Sequence, residues 1–393
     1  VTIRKLTGLV GAVGAALLLT AVATACSGDD DGGGSGNGDD AGGSGEVGAL
    51  LDTIGTGVIV PAYDDLVTSL DGLGTAIDDL CATPGAAGLD AARTAWATAA
   101  DAWQETRPVG VGPAMDRRTM STVWYPARPE DVDELLTGTE PITPDSLAEG
   151  RATARGMATV EILLFAPEAD AELTTGPADS RRCTYAAAAT GLAARSAGEV
   201  ADDWNGTGEA EQPYTEVLVA GMDGDPQSSL SAIVNELAHA LQTIDDQGLR
   251  GIALAEAPDD VPEPQRDGPA GHRVADLKAL LLTVQAVVEG PSGDDGLSAL
   301  VTARSADTGE RLDEALAAAV ASVGALPDSI ADTLAAPDDL ATAAEDAGAL
   351  KVVLSTEVAS VLGVTIGFSD ADGDSGTSAG SAGPALPRRS PSR

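Results

Sequence analysis

Glu161 is the residue of this sequence whose setting most demands a chemical explanation. It lies in RGMATVEILLF, residues 155–165, where Met157, Val160 and Leu164 mark an apolar helix face. At about 100° per residue the carboxylate falls near the middle of that face. A carboxylate there must be paired, protonated or metal-bound, because burying it bare costs on the order of several kcal/mol. One reading is a ligand or metal site; the other is a structural pair with Arg117 or Arg118 from an upstream arginine cluster. Glu236-x-x-His239 has the i, i+3 spacing by which di-iron bundles supply ligands. That centre needs two such motifs, and the chain has 2 His in all. His239 is predicted to point away from the Leu230/Leu237 stripe into solvent, and His272 sits in a loop-like PAGHRV. Asp370, Asp372 and Asp374 open like a calcium loop, but Ser375 and Ser381 stand where that loop needs Gly and Glu. A solvated acidic turn is the better reading. No zinc-protease helix motif, nucleophile elbow, phosphate-binding glycine loop or dinucleotide fingerprint occurs.

The elements that must position these groups are helices. Leu230, Ile233, Val234, Leu237, Leu241 and Ile244 recur at three- and four-residue steps. Leu277, Leu280, Leu281, Val284, Val287 and Val288 repeat the pattern before a Gly290-Pro291 stop. Leu312, Leu316, Val320 and Val323 mark another helix, and Ala-rich stretches at 91–102, 186–201 and 341–362 fit closely packed ones. Aromatic residues are 3% of the chain, so the core must be built from Ala, Leu and Val. The predicted fold is all-α, as two up-and-down helical bundles packed side by side. The N-terminal bundle takes residues 48–205 and the C-terminal bundle 228–368, with a Gly-, Asp- and Pro-rich connecting loop over 206–227. Residues 103–136, rich in Trp, Pro and Arg, read as a long ordered crossover packed over a bundle; such segments are often functional.

The first residues lead us to expect the protein outside the cytoplasm. Arg4 and Lys5, an apolar run from Leu9 to Val22 and Ala23-Thr24-Ala25 form a secretory signal over residues 1–25. Cys26 directly follows, so the thiol is expected to be acylated and to anchor the chain to the membrane as a lipoprotein; the alternative is an ordinary signal peptide. Residues 26–47 are a Gly- and Asp-rich stretch expected to be a disordered tether, and 369–393 a disordered tail. Losing the signal with its two basic residues takes the net charge from −40 to −42. So acidic a body argues against nucleic acid as a partner and fits monomeric behaviour. With Cys26 lipidated, Cys81 and Cys183 remain in an oxidising compartment, and a disulfide between them is expected.

Several ordered blocks resemble the imelysin family, over about residues 50 to 374. AWATAADAWQETR precedes VGPAMDRRTMSTVWYPARPEDVDELL, which is similar to the family's Gly-Pro, aspartate and Trp-Pro block. GMATVEILLF stands at the family's Gly-x-His-x-x-Glu motif, and SGDDGLSALV and GVTIGFSDADGD are similar to its second half and ending. The resemblance implies two helical bundles in an exported, often lipid-anchored protein tied to iron uptake or heme-related functions. It implies a partner such as an iron permease or a heme-related envelope protein. It also makes Gly156 and Glu161 ligand or metal candidates, with iron or another divalent cation as the cargo. One member group is described as peptidases, but the motif's His is here Ala158, which has no lone pair for a metal or a proton. The expectation is therefore a non-enzymatic binding protein, with a metal-dependent peptidase or a partner-docking protein with a decayed site as alternatives.

Overall fold

The computed structural model describes residues 40–178, 180–208, 212–262 and 266–367. The signal segment, Cys26, the start of the tether and the Asp370–Asp374 turn lie outside them. Among the described residues every regular element is helical, with one isolated bridge between Trp124 and Gly156. The all-α expectation holds.

Two groups of four helices carry the body. The first is Val60–Ala82, Ala86–Thr106, Met157–Phe165 and Arg181–Asn205; the second is Pro226–Ile244, Arg273–Glu289, Ala306–Gly324 and Pro337–Val352. Each forms for the reason its periodicity gives. In Pro226–Ile244 all six stripe residues from Leu230 to Ile244 are buried, and the Asp225 carboxylate caps the start by accepting from the Gln227 N–H at 3.0 Å. Arg273–Glu289 stops at Gly290, whose φ of +81° suits glycine. The groups meet where Ala86–Thr106 packs on Arg273–Glu289, and Thr283 Oγ1 donates across this seam to the Glu105 carbonyl at 2.7 Å. One apolar core runs through both, so the described body from Asp40 to Gly367 is a single compact unit.

A continuous helical rod links the groups as well. Asp40–Ile54 passes through a π-helical turn, Gly55–Ile59, into Val60–Ala82. Its cause is Pro61, which has no N–H to give and whose ring crowds the carbonyl four residues earlier. Gly57 lies against Pro291, where an added Cβ would come within 2.3 Å of the ring. The rod corrects the tether expectation, because the last residues before Val47 are helical. Val47, Leu50, Leu51 and Ile54 are buried, and their packing extends the helix back through a Gly-rich stretch that would not hold one alone. The 206–227 connection likewise contains a helix, Tyr214–Ala220, whose Tyr214 ring meets Trp204 edge-on at 5.0 Å.

Cys81 and Cys183 form the expected disulfide, with Cα atoms 5.7 Å apart, joining the end of Val60–Ala82 to the start of Arg181–Asn205. The crossover starts later than its composition suggests, since Trp103 still belongs to a helix ending at Thr106. From Arg107 it runs through short turns at Pro113–Asp116 and Thr119–Ser121 before the Pro129–Thr137 helix.

Candidate functional site

The helix that carries Glu161 starts at a junction only glycine can make. Gly156 has φ +75°, and a Cβ there would lie 2.5 Å from the Val123 carbonyl oxygen. The crossover is stitched to this point: the Met157 N–H donates to Val123 O at 2.7 Å and Arg155 Nε to Ser121 O at 2.8 Å. Gly156 is therefore a backbone hinge between crossover and helix. One turn on, Met157, Val160 and Leu164 are fully buried, and Glu161 is 8% exposed, as its place on the apolar face requires.

Neither expected arginine partners Glu161. Arg117 is held by Asp203 at 2.5 Å and Glu199 at 2.9 Å, and Arg118 lies on the wall of a separate pocket. The crossover brings Arg117 to the acids of Arg181–Asn205 and Arg118 to that pocket. Instead, the loop before Arg273–Glu289 closes over the carboxylate. The Ala270 N–H donates to Glu161 Oε1 at 3.0 Å, and a Cβ on Gly268 would come within 2.2 Å of the same oxygen. Burial lifts the Glu161 carboxyl to about 7, the Ala270 hydrogen bond opposing the rise and the nearby Asp276 adding to it.

His272, 111 residues away in sequence, arrives beside Glu161 on this same loop. Its Nε2 meets Asp101 Oδ1 at 2.8 Å, and its ring stands edge-on to Trp96 at 5.7 Å. Burial opposes the charged imidazolium, but the Asp101 hydrogen bond and the Asp276 and Asp101 charges outweigh it and raise the pKa. Asp276 is 7% exposed, and burial lifts it to about 6 against the pull of Arg273 and His272. Burial also holds the Arg273 guanidinium below its ordinary value. The seam is thus a buried electrostatic network of Glu161, Asp276, Arg273, His272 and Asp101. It does not fit the metal role expected of Glu161. Ala158 supplies no ligand, the carboxylate is covered by loop backbone, and among the described residues no three His, Cys, Asp or Glu could hold a metal ion.

Beside the seam, under the crossover, lies a pocket of about 590 Å³. Trp103, Leu280, Met115, Met120 and Tyr125 give it apolar walls, while Arg107, Arg118, Glu236, His239 and Tyr63 bring polar groups. Glu236 is 8% exposed, and burial raises its carboxyl to about 7 despite the nearby Arg107. Arg107 is itself pushed down by burial and by Arg273. His239 does not face solvent as predicted; it is half-buried on the pocket wall. The stripe opposite Leu230/Leu237 is covered after all, because the Arg107–Val109 turn packs on that helix.

Sequence reasoning missed Asp101, Arg107 and Asp276, and it set His272 aside as a loop residue. For Asp276 a signal was present: it lies one turn before Leu280, on the same apolar stripe. The others join the site only through contacts between the two helix groups.

A family model described as imelysin matches residues 59–356. Among solved structures, the chain is similar to an imelysin-like protein from Psychrobacter arcticum 273-4, at 20% identity and a TM-score of 0.67, over 83% of this chain and 98% of that one. It is also similar to a protein from Parabacteroides distasonis ATCC 8503 named as an iron-regulated protein A precursor. There the identity is 17% and the TM-score 0.68, over 81% of this chain and 95% of that one. A search of curated proteins finds no match.

Proposed function

We propose, from the premise that the chain belongs to the imelysin family, that it is a non-enzymatic ligand-binding protein of the cell envelope that serves iron uptake. The pocket under the crossover carries this reading. About 590 Å³ is within the usual size of small-molecule sites, and apolar walls with a few convergent polar groups are their usual chemistry. The tie to iron comes by likeness to the protein named as iron-regulated. A peptidase is not proposed, since the family's motif His is Ala158 and Glu161 is shut beneath the 268–270 backbone. Cys26 is proposed as the lipid anchor that holds the body at the membrane surface.

A deletion strain of the source bacterium should grow poorly under an iron chelator and be rescued by the wild-type chain. Ala114→Trp, which fills the pocket from the crossover wall, should fail to rescue while folding normally by circular dichroism. Full rescue by that variant, or no growth defect in the deletion strain, overturns the reading. Cys26→Ala should move the protein from the membrane fraction to the soluble one, and retention in the membrane would remove the anchor.

A further inference from the structure

The walls of the pocket specify the kind of ligand. Resting on the pocket being the ligand seat, we infer that it takes a small organic anion with an apolar body. The acid group sits on Arg107 and Arg118, and the body lies against Trp103, Tyr125 and Leu280.

Local charge inversion is the first support. The chain holds 62 acids against 22 basic residues, yet the pocket is lined by two arginines and one carboxylate. Two arginines gathered at a cavity in so acidic a protein need a reason, and an anion supplies one. Arg107 gives the second support. Among the described residues its guanidinium makes one hydrogen bond, from Nη1 to Gln104 Oε1 at 3.2 Å, and no salt bridge. A guanidinium carries five N–H donors, so a carboxylate, sulfonate or phosphate oxygen can be received there by a charge-assisted pair. The remaining carboxylate on the wall, Glu236, is lifted by burial to about 7 and so repels an anion weakly at neutral pH and below.

The mouth of the pocket gives the third. Arg118 has φ +53° and is the one non-glycine residue at positive φ among the described residues. Holding a long side chain in that region costs on the order of 1 kcal/mol, and such strain gathers at binding sites. Met115, Met120 and Tyr125 on the same wall are three of the six large apolar side chains left exposed among the described residues. Apolar side chains beside two guanidiniums fit an amphipathic acid better than a bare inorganic anion, which would gain nothing from them.

Two fluorescent probes that share an aromatic body test the inference. Anilinonaphthalenesulfonate carries one anionic group, and phenylnaphthylamine carries none. With the wild-type chain both dyes should bind, the sulfonate about tenfold more tightly. Arg107→Gln should weaken the sulfonate by about tenfold and leave the neutral dye unchanged. Arg118→Gln, at the exposed mouth where folding is not at stake, should do the same to a smaller degree. Ala114→Trp should block both dyes. Equal affinity for the two dyes, or arginine variants that leave the sulfonate unaffected, overturns the anion inference and leaves the pocket as ligand seat. Failure of both dyes to bind, or binding unmoved by Ala114→Trp, overturns the pocket itself.

Discussion

Replacing Glu161 by glutamine should make the protein more stable above neutral pH and leave its stability at about pH 4 nearly unchanged. Burial lifts the carboxyl from 4.5 to about 7. The folded chain therefore keeps a proton that the unfolded chain releases. Stability must fall as pH rises through that interval, by about 1.4 kcal/mol for each pH unit over which the proton is held. For Glu161 the loss comes to about 3 kcal/mol, complete once the pH passes the folded value. The amide has no charge to bury and can still accept from the Ala270 N–H, so the variant escapes this loss. Asp276, lifted to about 6, and Glu236, lifted to about 7, carry the same sign, so the wild-type curve should be steeper than one group produces. His272 adds to the slope, since a histidine with a raised pKa also loses its stabilising charge as pH rises. Urea unfolding followed by far-ultraviolet circular dichroism, from about pH 4 to about pH 8, reads the difference directly. Wild-type and variant curves that run parallel, or a variant weaker at the alkaline end, would refute the reasoning.

Gly268→Ala should cost about 1–3 kcal/mol, because the new methyl meets Glu161 Oε1 at 2.2 Å. Adding Glu161→Ala should return part of that loss, a non-additivity that a double-mutant cycle in urea measures. Gly156→Ala should cost about 2 kcal/mol or more, since it combines a φ of +75° with a contact of 2.5 Å to Val123 O; a lowered thermal midpoint checks it. Replacing both Cys81 and Cys183 by serine opens a loop of 102 residues and should cost about 3–5 kcal/mol, read as a lower urea midpoint.

How much of the fold and the site is legible in the sequence depends on whether a signal is local. The helices are, because each buried stripe repeats within its own segment, and Glu161 stands out because its neighbours predict its burial. The disulfide is legible from cysteine arithmetic and compartment. Glu161's real companions are not. The Ala270 N–H and His272 reach it from the other helix group, and nothing in residues 155–165 encodes that approach. His239 misleads for a related reason. A hydrophobic stripe says which helix face meets its own bundle, and it is silent about a turn such as Arg107–Val109 that covers the opposite face. In the Gly-rich stretch before Val47, composition points to a tether, while the helix is imposed by the packing that follows it.

The helix that runs unbroken from Asp40 to Ala82 has a mechanical consequence. At about 1.5 Å per residue it is a beam of roughly 65 Å, clamped at one end to each half of the body. Two leaves sharing one beam cannot swing apart without bending it, and the compliant point is the Gly55–Ile59 turn, wedged at Gly57 against Pro291. The chassis is therefore stiff, and the angle between its two halves is set at that turn and held at the seam where Thr283 reaches the Glu105 carbonyl.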